Sequence, residues 1–222
     1  MTDLDGPRAG PASGVTRQLV VLLHGYGADG ADLIGLSEPM ATYLPDAVFL
    51  APNGPAPCRI NPMGRQWFPI SQIDGSPEAE MRAGYIAAAE ALDGWLETAI
   101  THAGVARSAT ALVGFSQGTM MALSVGPRRP PGLAGIVGFS GRLIDPAALS
   151  LAQARPPVLL IHGDRDDVVP HSAMAEAEAE LKGAGFTVAT HTSAGTGHGI
   201  APDGLGLATG FLRSAFGLGP VG

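Results

Sequence analysis

Cysteine, basic runs and long apolar runs are what this chain of 222 residues has least of. Its single cysteine, Cys58, has no partner for an internal disulfide. No stretch reaches the roughly 18 consecutive apolar residues of a membrane-spanning helix, so no span is expected. Lys and Arg number 13 against 20 Asp and Glu, giving a formal charge of −7 with no basic run to offset it. That balance argues against nucleic acid or an anionic membrane as partner. Charged residues are only 15% of the chain and hydrophobic ones 45%, which argues against disorder. The N-terminal MTDLDGPRAGPASG lacks both a basic n-region and an apolar h-region. It is read as a flexible tail over residues 1–16 rather than a signal peptide, and a cytoplasmic location follows as the expectation. The length suits one domain, 1–222, with a sizeable core.

What is present is an alternation of short apolar runs and helical patterns. Gln18–Leu23, Ala47–Leu50, Ala109–Phe115, Leu133–Phe139, Val158–Ile161 and Thr187–His191 read as strands, the first of them, a continuous apolar run, as a strand buried on both faces. Helical patterns cover Asp32–Leu44 (with Pro39 predicting a kink or early stop), Glu78–His102, Gln117–Val125, Ser172–Lys182 and Leu205–Phe216. The alternation predicts an α/β fold, a mostly parallel central sheet with helices on both faces. A long Pro/Gly-rich stretch from Pro52 to Pro77 interrupts it, and loops of that length are usually functional or disordered.

The first strand runs into LVVLLHGYGADG, where Gly25, Gly27 and Gly30 match the G-x-G-x-x-G spacing of a dinucleotide turn. A ribose-binding acid should then close the second strand, but that strand ends Leu50-Ala51-Pro52. A nucleotide-binding oxidoreductase is therefore the weaker alternative. The stronger signal is Gly114-Phe115-Ser116-Gln117-Gly118, a G-x-S-x-G between a strand and a helix. Small residues on either side let the chain turn tightly, so that a serine hydroxyl projects above the sheet edge near the positive end of a helix dipole.

Serine needs a base to take its proton. Of six histidines, His24 reads as structural and His162 has no evident role. His198, in the small-residue loop GTGHGIAPDG before the last helix, can reach over a serine on a neighbouring turn and is taken as the base. The acid should fall between serine and histidine in the chain, where HGDRDDVVP offers Asp164, Asp166 and Asp167. Spacing does not choose among them.

The chain resembles the phospholipase/carboxylesterase family of α/β-hydrolases, which includes bacterial carboxylesterases and acyl-protein thioesterases. The resemblance runs from about Gln18 to Phe216 and rests on LHGYGADG, Trp67-Phe68, GFSQG, HGDRDDVVP and GHGI. It implies Ser116 as nucleophile, Asp166 as acid and His198 as base. It also implies an oxyanion hole from the backbone N–H groups of Tyr26 and Gln117, and no metal or organic cofactor. A homodimer is suggested only because family members often form one. Thr119 stands where members often have glycine, and Asp167 where they often have proline.

About 18 residues separate the fourth and fifth strands, too few for a cap domain, so an open site is expected. Met63, Trp67 and Phe68 in the long loop are candidates for an acyl-binding wall; alternatively, Trp67 and Phe68 anchor that loop to the core. The substrate expected is a small-molecule ester of small to medium acyl chain. Thioesters and lysophospholipids come second. A non-catalytic hydrolase-fold binding protein is disfavoured because all three triad residue types are present.

Overall fold

A computed structural model describes residues 4–219. The elements, in chain order, begin β1 (Arg8–Ala9), β2 (Gln18–Leu23), α1 (Gly30–Ile34), α2 (Ser37–Ala41), β3 (Ala47–Leu50), β4 (Ala56–Pro57) and β5 (Arg65–Gln66). There follow α3 (Ser71–Asp74), α4 (Glu78–Ala103), β6 (Thr110–Phe115), α5 (Gln117–Val125) and β7 (Gly135–Phe139). The chain closes with β8 (Val158–Gly163), α6 (Ser172–Gly183), β9 (Val188–Ser193) and α7 (Pro202–Ala215). The seven-stranded sheet has the order β1-β3-β2-β6-β7-β8-β9, parallel except for β1. The expected α/β architecture is the one observed.

The strand β2 shows why an unbroken apolar run was required. Leu19, Val21 and Leu23 face the core beneath α4, α5 and α6, with Leu92, Leu96 and Leu181. Val20 and Leu22 face the other core, with Phe49 of β3 and Ala208 and Leu212 of α7. Successive side chains on a strand point to opposite faces, so a strand covered on both sides has no polar phase.

Two expectations need correction. The Asp32–Leu44 pattern is two short helices, α1 and α2, that meet at Gly35 and Leu36. Pro39 lacks an N–H and its ring clashes with the carbonyl four residues back, at Gly35, so the break falls a turn before the proline. The segment 1–16 is not a loose tail where it is described; residues 1–3 lie outside the described residues. Leu4 is buried, Arg8 and Ala9 pair antiparallel with Leu50 and Phe49, and Asn53 N–H donates to Asp5 O at 2.7 Å. This pairing covers what would be the open edge of β3, whose backbone groups need partners.

Between β2 and β6 the winding direction of the sheet reverses: β3 lies to one side of β2, β6 and the later strands to the other. Loops leaving such neighbouring strands diverge, and the crevice between them is where open α/β sheets bind ligands. The turns after β2 and β6 carry Tyr26 and Ser116.

Candidate active site

Ser116 joins β6 to α5 with φ 53° and ψ −115°, a left-handed conformation that costs a non-glycine residue about 1–3 kcal/mol. Its N–H donates to Phe139 O at 2.8 Å, so the sheet holds the turn in place. The flanking glycines are required sterically. A Cβ on Gly114 would lie 2.4 Å from Gly118 backbone atoms, and one on Gly118 would lie 1.9 Å from Leu23 O. Gly118→Ala is therefore expected to lower stability by about 3 kcal/mol in urea unfolding. Gly94→Ala, at a helical position with nothing within 4 Å of the added methyl, is expected to raise it by up to about 1 kcal/mol.

Thr119, the departure from the family pattern, fits because its neighbours give way. Its hydroxyl lies 2.8 Å from both Gly114 O and Phe139 O, tying the ends of β6 and β7 together beneath the serine. Gly138 and Gly141 supply the room, since a Cβ on either would come within about 2.5 Å of the Thr119 side chain. Ser140, directly after β7, is the other non-glycine residue with positive φ (47°) among the described residues. Nothing in its local sequence signals this.

The turn after β2 is fixed from several sides. His24 is fully buried, and Gly54 N–H donates to its Nε2 at 2.8 Å. Nε2 is thus the unprotonated nitrogen, and Nδ1–H donates to Gly25 O at 2.7 Å. Burial pushes this imidazole below its ordinary pKa, consistent with a neutral ring in the structural role expected of it. Gly25 has Ser116 Cβ 3.3 Å from where its own Cβ would be, and Gly27 has φ +81°. A Cβ on Gly30 would lie 2.0 Å from Ala51 O, so each glycine of the spacing that resembles a dinucleotide turn has a separate steric or conformational cause. The Tyr26 hydroxyl donates to Asp74 Oδ2 at 2.8 Å. Desolvation of Asp74 is outweighed by this bond and by those from Ser76 and Ile70, which hold its carboxyl at about 2. The backbone N–H groups of Tyr26 and Gln117 donate to no acceptor among the described residues.

The three aspartates after β8 separate clearly. Asp166 has an inaccessible side chain. Its Oδ1 accepts from Val168 N (2.9 Å) and Val169 N (2.8 Å), and its Oδ2 from His198 Nδ1 at 2.8 Å. Desolvation would raise its pKa, but the bonds from His198 and from these backbone N–H groups overcome it and hold the carboxyl below the usual range. Asp164 turns away to accept from Gly195 N at 2.7 Å. Asp167 is exposed and makes no hydrogen bond among the described residues. The His198 ring lies 4.9 Å, centroid to centroid, from Phe115, next to the serine in the chain.

His162, which had no evident role in the sequence, packs behind this pair. It is 1% exposed, with Nε2 2.9 Å from Val169 O and 3.2 Å from Asp166 Oδ2. It pins the turn that wraps the carboxylate. Of the other histidines, His171 meets Thr192 Oγ1 at 3.0 Å and packs edge-on against His162, ring centroids 5.7 Å apart, while His191 meets Asp203 at 2.7 Å.

For Trp67 and Phe68, burial and hydrogen bonding fit the second of the two expectations, that they anchor the long loop. Trp67 and Phe68 are each 2% exposed, while Met63 is 89% exposed. Trp67 N–H donates to Gln117 Oε1 (2.9 Å), Gln117 Nε2 donates to Phe68 O (2.8 Å), and the Trp67 indole N–H donates to His24 O (3.0 Å). Two of the three candidates are core residues that anchor the long loop, because their aromatic surface and polar groups are already engaged inside.

A family model described as phospholipase/carboxylesterase matches residues 10–216. The crystal structure of an esterase, PE8, is 44% identical and superposes with a TM-score of 0.90, covering 96% of this chain and 99% of that one. Esterase YpfH of Escherichia coli is 32% identical over 89% of this chain and 82% of the relative. Acyl-protein thioesterase 1 of Gibberella zeae is 28% identical over 93% and 94% respectively.

Proposed function

The chain belongs to the phospholipase/carboxylesterase family of α/β-hydrolases, and on that premise we propose that it hydrolyses carboxylic esters of small to medium acyl chains through an acyl-enzyme on Ser116. It is a carboxylesterase-type enzyme. The observation that carries the finer reading is the 2.8 Å bond from His198 Nδ1 to the inaccessible Asp166 carboxylate, with the His198 ring 4.9 Å from Phe115, the residue before a serine held at positive φ. The reading takes the chain as one domain, since both cores lie on the two faces of one sheet.

In this mechanism Ser116 Oγ attacks the acyl carbon while His198 Nε2 takes its proton. Asp166 accepts from Nδ1–H, fixing the tautomer and stabilising the imidazolium. The carbonyl oxygen, now an oxyanion, accepts from the N–H groups of Tyr26 and Gln117, each donor worth about 3 kcal/mol in the transition state. Collapse expels the alcohol, which takes the proton from His198. Water then repeats the sequence on the acyl-enzyme, releasing the acid.

The substrate reading draws on the segment between β7 and β8, which holds only a short 3₁₀ turn, Pro146–Leu151, and leaves the serine uncovered by a cap. Fluorophosphonate labelling tests the nucleophile: a mass increment on the peptide containing Ser116 is expected, and an increment elsewhere or none rejects the reading. Initial rates on p-nitrophenyl acetate, octanoate and palmitate test chain length, with palmitate expected slowest. The thioesterase name of one relative makes acyl thioesters the second substrate class to assay.

The depressed pKa of Asp166 has a kinetic consequence. A carboxyl held below its ordinary value of about 3.9 stays ionised as pH falls towards that value, and its contribution to stability is lost only below it. Protonation of the base alone then governs the acid limb. Log(kcat/KM) is expected to fall with unit slope down to about pH 4. A slope of two would mean that the carboxylate titrates with the base.

A further inference from the structure

The two proposed oxyanion donors sit on different segments, and something must hold them in register. The last paired residues of β2 and β6 are Leu23 and Gly114, so Tyr26 and Gln117 each lie three residues beyond the ladder. Pairing with β7 holds the serine turn as far as Ser116, but the pairing of β2 with β6 that would relate the two turns to each other ends at their roots.

We infer that the Gln117 side chain and the Trp67 indole form a strut that sets the spacing of the two oxyanion donors, making Gln117 (through its side chain) and Trp67 positioning residues for ester hydrolysis. The inference rests on the functional reading above. Trp67 touches both turns at once. Its indole N–H holds His24 O at 3.0 Å, two residues before Tyr26, and its backbone N–H holds Gln117 Oε1 at 2.9 Å. Gln117 uses the other end of its amide to donate to Phe68 O at 2.8 Å. Gln117 and His24 are fully buried and Trp67 nearly so, with the His24 and Trp67 rings 5.4 Å apart.

Neither side-chain group is needed to form β2, β6 or α5, whose backbone bonds are made without them. Buried amide and indole groups must find partners: the indole finds His24 O in the turn after β2, and the Gln117 amide finds the backbone of Trp67 and Phe68 in the long loop, so the loop links the two turns. An oxyanion hole works only if both donors reach the oxygen within hydrogen-bond distance, so a small shift of one turn is felt mainly in the transition state.

Two variants test this. Trp67→Phe deletes one N–H and leaves an aromatic ring in place. Gln117→Met removes both side-chain bonds and keeps the backbone N–H of residue 117. On p-nitrophenyl acetate each is expected to lower kcat about 10- to 100-fold with KM changed by no more than about threefold. Affinity for an alkyl boronic acid, which mimics the tetrahedral state, should fall by a similar factor. Leu96→Ala, a core change on α4, supplies a loss of thermal stability remote from the site and is expected to keep kcat. Wild-type kcat and boronate affinity in Trp67→Phe or Gln117→Met would overturn the strut, as would an equal fall of kcat in Leu96→Ala. Failure of the underlying reading shows separately, as turnover persisting in Ser116→Ala.

Discussion

Replacing Ser116 with alanine is expected to reduce kcat for ester hydrolysis by roughly 10⁴- to 10⁶-fold while the protein stays folded. The loss is large because no second nucleophile stands in the same position. What survives is catalysis by the oxyanion donors and by binding, which in triad hydrolases retains roughly 10³- to 10⁴-fold over water. The fold should tolerate the change. The hydroxyl of Ser116 makes no hydrogen bond among the described residues, and the N–H that bonds Phe139 O is kept. Alanine inherits the positive φ without adding bulk. Kinetics on p-nitrophenyl acetate paired with a thermal melt checks both halves. Turnover within tenfold of wild type would reject Ser116 as nucleophile.

The second large effect is a contrast between neighbours. Asp166→Asn is expected to lower kcat by about 10⁴-fold, whereas Asp167→Asn should stay within about twofold. The Asp166 carboxylate is surrounded by donors: Val168 N and Val169 N at one oxygen, His198 Nδ1 at the other, with His162 Nε2 3.2 Å away. An asparagine amide must turn its NH₂ towards one of these groups. Facing His198 it forces the wrong imidazole tautomer; facing the backbone it leaves buried N–H groups unpaired. Asp167 is exposed and holds nothing, so loss of its charge is felt only through solvent. The larger loss in Asp167→Asn would make it the acid.

Strand positions were legible because they follow from a local periodicity, and the observed strand and main helix ends differ from the expected ones by at most three residues. The elbow at Ser116 was legible for a similar reason. The glycines at 114 and 118 answer a steric demand between atoms close along the chain or on adjacent strands, and only glycine meets it. The split of α1 from α2 was half legible: Pro39 announced a break, but its place depends on a clash four residues back.

Other features lay beyond any local pattern. Three aspartates within four positions look equivalent as a string, and the choice rests on which carboxylate turns towards a histidine 32 residues away. Trp67 and Phe68 read equally well as a substrate wall or as anchors. Their burial is decided by an amide 49 and 50 positions further on. The pairing of Arg8 and Ala9 with β3 has no apolar run to announce it.

By itself, then, the sequence determined the layered α/β architecture, the serine turn and the histidine loop, because periodicity and steric limits act over a few residues. The tertiary structure alone decided which carboxylate is buried, what holds the two turns in register, and that the glycines after β2 answer to their neighbours. Those are properties of groups distant in the chain and within about 3 Å in space.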